Sequence, residues 1–220
     1  MKEKVITSFY WLAGVVHIAA AYLNKPDIQD MSKALLMPLL IYLLFSEAKG
    51  VITLSRLLLA LGLVFSWGGD LFLIQKNEEI FFLAGLGMFL VAQLMYAYVM
   101  YKSTFQSPKI QIKSLIQVII LGIILLSIIL PNAGGLAAPV AVYAVCILMM
   151  LSAAILRKAL TTNDSYQWAM IGAVLFVLSD SSIAINKFVM ELPLSHFLIM
   201  STYIAAQYLI VKGILKHPGG

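Results

Sequence analysis

Two carboxylates stand inside apolar runs of this chain. Asp70 lies within FSWGGDLFLI (Phe65–Ile74) and Asp180 within FVLSDSSIAI (Phe176–Ile185). An ionised carboxylate at the centre of a membrane helix costs about 2.5–3.5 kcal/mol, so such residues usually face a bundle interior and mark a functional site. The bland alternative is an acid near the interface that hydrogen-bonds a neighbouring helix or reaches water. Two acids in similar settings offer carboxylate acid–base chemistry.

Neutral hydrogen bonders surround both. Ser66 and Trp67 precede Asp70 by four and three residues and share its helix face. Gly68 and Gly69 remove bulk beside it and allow another helix or a lipid chain to come close. Ser179 and Ser181 flank Asp180. Lys187 follows two turns later, about 10.5 Å along the axis at helical rise, where it either snorkels to the surface or meets a phosphate. Asn186 either closes the helix or bonds a headgroup. His196, Met200, Tyr203 and Gln207 form one helical stripe, and Gln93 with Tyr96 forms another. Tyr203 and Gln207 are deep enough to need partners. His196 and His17 fit interfacial positions better than catalytic ones.

Other chemistries lack their motifs. The three histidines are scattered and no HExxH or paired cysteine occurs, so no metal site is expected. No nucleophile elbow, P-loop or dinucleotide fingerprint is present. The lone Cys146 excludes an intramolecular disulfide. The expectation is chemistry by carboxylates, with no organic cofactor.

These residues must be positioned by membrane helices. The 220 residues are 62% hydrophobic and only 11% charged. A soluble domain carries about 25% charged residues. The apolar residues come in long blocks, without the alternation of strands. Breaks at charge, Pro and Gly clusters predict about eight spans, near Thr7–Leu23, Ala34–Phe45, Thr53–Ile74, Ile80–Tyr101, Ile112–Leu130, Gly135–Leu156, Tyr166–Ile185 and Leu194–Ile214. The second is the shortest. The fold class is all-α, one membrane-embedded domain over 1–220, with the first span retained rather than cleaved. The net charge of +5 comes from residues scattered at span ends, which argues against nucleic acid as a partner. Eleven of the fifteen Lys and Arg cluster at one set of ends. That set holds Lys2, Lys4, Lys49, Arg56, Lys102, Lys109, Lys113, Arg157, Lys158, Lys212 and Lys216, against Lys25, Lys33, Lys76 and Lys187, and places both termini in the cytoplasm.

The halves also resemble each other. MPLLIY (Met37–Tyr42) matches APVAVY (Ala138–Tyr143), Gly69-Asp70 matches Ser179-Asp180, and FLVAQ (Phe89–Gln93) matches YIAAQ (Tyr203–Gln207). Three matches in one order point to two parallel four-helix repeats, about 1–105 and 106–220, with the two acids at equivalent positions facing a shared interface.

With FSWGGDLFLI, FFLAGLGMFLVAQLMY (Phe81–Tyr96), FVLSDSSIAINKF (Phe176–Phe188) and STYIAAQYLI (Ser201–Ile210) in this order, the chain resembles the YhhN-like lysoplasmalogenase family. Two positions depart from that family's pattern: Lys33 is followed by Ala34 where a Lys-Pro pair opens span two, and Gln93 stands where His is frequent. The resemblance implies hydrolysis of lysoplasmalogens, single-chain glycerophospholipids with a 1-alkenyl ether. The products would be a fatty aldehyde and a glycerophospho-ethanolamine or -choline. Such vinyl ethers are cleaved by acid catalysis through an oxocarbenium ion, which needs no metal. Asp70 and Asp180 are the expected catalytic pair, with the acid of the two left open. Gln93, Ser179, Tyr203 and Gln207 are expected to orient water or acid, and Lys33, Asn186 and Lys187 to meet the headgroup. The expected partners are a lysophospholipid substrate and membrane lipids. The expected location is the cytoplasmic membrane of a bacterium. The competing class is a small transporter or lipid-binding bundle without hydrolase activity, whose mark would be helices broken at midspan. Oligomeric state, headgroup and chain preference are not legible.

Overall fold

The computed structural model describes residues 2–47, 53–75, 79–108 and 112–218. Lys49, Lys76 and Lys109, used above to orient the chain, lie outside them. The long elements among the described residues are helices: α1 Lys2–Tyr22, α2 Pro26–Ser46, α3 Leu54–Ile74, α4 Glu79–Lys102, α5 Ile112–Ile129, α6 Ala137–Leu156, α7 Asn163–Phe188 and α8 Ser195–Leu215. Among the described residues eight helices are long and apolar enough to cross a membrane, as the block pattern predicts. The physical reason is that hydrocarbon offers no partner to a backbone N–H or C=O, so each span must satisfy its own. Two short 3-10 turns, Leu130–Asn132 and Gly134–Leu136, join α5 to α6. Gly134 there takes a left-handed φ of +53°.

The second span is not short. It begins at Pro26 rather than Ala34 and runs for 21 residues. Pro26 sits in the first turn, where a backbone N–H has no intrahelical acceptor to lose. Asp27 faces the positive end of the helix dipole. Ser32 returns its hydroxyl to the Ile28 carbonyl at 2.6 Å, which lets a polar opening turn stay helical. Lys25-Pro26 is thus a Lys-Pro pair at the opening of this helix. The helix continues through Pro38. Thr53 and Thr162 cap α3 and α7, each accepting from the backbone N–H three residues on.

The chain forms two compact units, Met1–Met95 and Tyr96–Gly220. In the first, α2 packs between α1 and α3, and His17 Nδ1 donates to the Gln29 carbonyl at 2.8 Å. In the second, α7 and α8 touch backbone to backbone. A Cβ on Gly213 would stand 2.8 Å from Ala169 Cα, so glycine is required at that crossing. Ile119, Ile120, Ile123 and Ile124 of α5 are exposed, as expected of a face turned to lipid.

At the C-terminal end of α6, Arg157 is fully buried. Its Nη1 donates to the carbonyls of Met100 at 3.0 Å and Ser103 at 2.8 Å, where α4 ends. Its Nη2 donates to Ser165 Oγ at 2.7 Å, in the first turn of α7. Ser165 Oγ in turn donates to the Gly213 carbonyl of α8 at 2.6 Å. One guanidinium therefore ties the ends of four helices. Burial pulls its pKa down to about 10, which still leaves it charged at neutral pH.

His217, just past α8, is buried with its ring 4.6 Å from that of Phe105. Burial first, and then the Arg157 charge, lower its pKa below the ordinary histidine value. A base whose folded pKa is depressed binds its proton more readily when unfolded, so the folded state loses stability as pH falls below about 6.5. Thermal unfolding in detergent, followed from neutral to mildly acidic pH, is expected to fall more steeply for the wild type than for His217→Gln. Parallel pH profiles for the two proteins would exclude the effect.

Candidate active site

In the first unit, the site is built where α3 passes α2. Asp70 is only 1% exposed. Its Oδ1 lies 3.5 Å from Lys33 Nζ, and the Lys33 side chain is itself mostly buried. Trp67, one turn before Asp70, donates its indole N–H to the carbonyl of Ala34 at 2.9 Å. Two adjacent residues of α2 thus hold one face of α3, so the ammonium meets the carboxylate at a fixed height. Gly69 brings α4 close: a Cβ there would stand 2.6 Å from the ring of Phe89. Gln93 follows Phe89 by one turn and is fully buried. Neither of its amide atoms has a hydrogen-bond partner among the described residues.

In the second unit, Asp180 on α7 accepts a hydrogen bond at Oδ2 from the hydroxyl of Tyr143 on α6. Both residues line a narrow cleft between α5, α6 and α7 whose walls are otherwise mostly apolar. The two acids therefore have different first neighbours, an ammonium for Asp70 and a phenol for Asp180. The sequence likeness of MPLLIY and APVAVY does not extend to their tyrosines, because Tyr42 is 59% exposed while Tyr143 is buried.

The remaining candidates fall in several places. Gln207 Oε1 accepts from Tyr96 at 2.9 Å, and its Nε2 donates to the Tyr203 hydroxyl at 3.2 Å. The rings of Tyr203 and Tyr96 pack edge-on against Phe176. This chain of polar groups is satisfied within the second unit and fixes α8 against α7 and the end of α4. Ser179 donates to the Ile199 carbonyl at 3.0 Å, which also serves the α7–α8 contact. Asn186 Oδ1 accepts from the backbone N–H of Leu192 at 2.9 Å and closes the turn after α7. Lys187 is exposed, with Nζ 5.8 Å from the ring of Phe188. Tyr143 is the site residue that the sequence reading passed over. Its one signal was the proline four residues earlier, shared with Tyr42.

Comparison with known proteins places these residues in a family. Lysoplasmalogenase TMEM86A of Bos taurus is 32% identical to this chain over 159 residues, covering 70% of the chain and 64% of the relative. The Homo sapiens protein of that name is 33% identical over 160 residues, covering 70% and 64%. Lysoplasmalogenase TMEM86B of Homo sapiens is 33% identical over 138 residues, covering 62% and 55%. The chain thus aligns with about two thirds or less of the length of these relatives. No solved structure matches. The YhhN family model matches residues 28–214, from the first turn of α2 to the last turn of α8 and through Asp70 and Asp180, and this chain belongs to the YhhN family.

Proposed function

We propose that this membrane protein hydrolyses the vinyl ether bond of lysoplasmalogens, releasing a fatty aldehyde and a glycerophospho-ethanolamine or -choline. One observation carries the reading: Asp180, held by Tyr143, sits in a mostly apolar cleft within a membrane-spanning bundle. The names of the relatives supply the substrate class.

The chemistry asks for little else. The carboxyl proton of Asp180 adds to the alkene carbon remote from the ether oxygen. The other alkene carbon becomes part of an oxocarbenium ion. Water adds to that carbon and returns a proton to the carboxylate, and the hemiacetal collapses to aldehyde and alcohol. One water is consumed and the acid is regenerated. A carboxyl donates only in its neutral form, and the proposal assigns that form to Asp180. Asp70, already paired with a cation, is assigned the ionised role. In this proposal Gln93, whose amide finds no partner among the described residues, supports water or acid and the exposed Lys187 serves the headgroup, while Lys33, Ser179, Asn186, Tyr203 and Gln207 hold the helices that carry the acids. The bacterial cytoplasmic membrane is the proposed location. Helices α3 and α7 run unbroken through Asp70 and Asp180, which favours an enzyme over a transporter built on broken helices.

The test is fatty aldehyde release from a 1-alkenyl lysophospholipid by the purified protein, beside the matching 1-acyl lipid. Release from the alkenyl lipid alone is expected. An inert wild type that is folded, as judged by cooperative thermal unfolding, would end the proposal. Tyr143→Phe is expected to lower kcat about tenfold or more with little change in KM, because a hydrogen bond to an ionisable group is worth about 1.5–3 kcal/mol. An unchanged kcat in that variant would remove Tyr143 from the mechanism.

A further inference from the structure

The cleft that holds Asp180 continues beyond it. Tyr143 and Leu148 both line it from α6, five residues apart, or about 7.5 Å along the axis. At that level α5 contributes Gly122, and Val177 lines the α7 side. A Cβ on Gly122 would stand 2.6 Å from Leu148 Cδ1, so the isobutyl group of Leu148 is seated on the bare backbone of α5. It stands at this end of the cleft, whose cavity is about 50 Å³. The outer surfaces beside the cleft are apolar and exposed, with Ile123 on α5, Val145 and Met149 on α6 and Leu178 on α7. In a bilayer these surfaces contact lipid chains, so a chain entering from the side crosses no polar barrier.

We propose that this cleft takes the single hydrocarbon chain of the substrate, and that Leu148 on Gly122 is the stop that sets chain preference. The inference rests on the hydrolase reading given above. A cleft with apolar walls and one polar pair is selective for a chain whose reactive end carries the polar atoms. The short reach from Tyr143 to Leu148 holds only the first part of a fatty chain in register. A longer chain must displace Leu148 or turn out into the lipid. Gly122 matters for the same reason, since it gives the leucine a seat and gives a displaced leucine room to move.

The experiment compares wild type, Leu148→Ala, Leu148→Phe and the exposed control Met149→Ala on 1-alkenyl lysophospholipids of short, medium and long chain. A hydrophobic pocket discriminates about tenfold or more per methylene misfit. Leu148→Ala is therefore expected to raise kcat/KM for long over short chains about tenfold, Leu148→Phe to shift preference to short chains, and Met149→Ala to keep the wild-type profile. A second measurement needs no catalysis. The non-cleavable 1-alkyl lysophospholipids of the same lengths are expected to raise the unfolding temperature in an order that Leu148→Ala changes. If folded Leu148 variants keep the wild-type order of chain lengths in both measurements, the cleft is not the chain site. If no aldehyde is released but the 1-alkyl order still shifts, the chain site stands and the reaction is at fault.

Discussion

Asp180→Asn is expected to lower aldehyde release at least about 100-fold while leaving the protein folded, since general acid catalysis contributes about 10²–10⁴. The substitution keeps the size of the side chain and its hydrogen-bonding shape. The Tyr143 hydroxyl still finds an acceptor in the amide oxygen, so the link between α6 and α7 survives. The proton that must reach the alkene is lost, because an amide is no acid at neutral pH. The unfolding temperature in detergent should therefore stay close to that of the wild type, and any fall in rate will report chemistry. Asp70→Asn behaves differently, since it leaves Lys33 without its counter-charge. Removing one partner of a buried pair costs about 3–5 kcal/mol, whereas replacing both by apolar groups is often neutral. The informative companion is thus Lys33→Met with Asp70→Leu. If it restores stability without activity, the Lys33–Asp70 charge pair acts in the reaction and not only as a strut. Full activity of Asp180→Asn would end the assignment of the acid.

The largest stability effect is expected at Arg157. Arg157→Ala removes the donor to Met100, Ser103 and Ser165 in one step. Each buried acceptor left without a partner costs about 1–3 kcal/mol, so a loss of about 3–5 kcal/mol is expected even if water enters part of the gap. Arg157→Lys should recover little of it, because a point ammonium cannot span three acceptors that a planar fork reaches. Thermal unfolding and detergent-extracted yield both read this out. An unfolding temperature for Arg157→Ala within a degree or two of wild type would show that the four helix ends are held by something else.

Much of this was legible because membrane chemistry writes itself in composition. Long apolar blocks specify spans, and an acid inside one is conspicuous, which is how Asp70 and Asp180 were found. The start of α2 was not legible, since its opening turn, Pro-Asp-Ile-Gln, reads as loop until the proline and aspartate are seen as first-turn residues. The partners of the acids were hidden for a different reason. Lys33 looked like a headgroup ligand because nothing in a linear chain says that it stands beside Asp70, 37 residues on. Tyr143 was hidden in plain view, as tyrosines in apolar helices are common and its likeness to Tyr42 pointed equally to a residue that lies exposed. Ser179 and Asn186 have the right chemistry for a substrate, yet their hydrogen bonds go to the backbone of the α7–α8 hairpin.

The Arg157 junction also carries a consequence for the timing of synthesis. The guanidinium reaches residues at the end of α4 and the start of α7, but the serine it holds is itself anchored on Gly213, near the close of the last helix. The network cannot be complete while α8 is still inside the ribosome. Until then the hydroxyl of Ser165, which Arg157 already reaches, still waits for the α8 carbonyl to which it donates. The second unit therefore completes this junction late, only when Gly213 of α8 has been made.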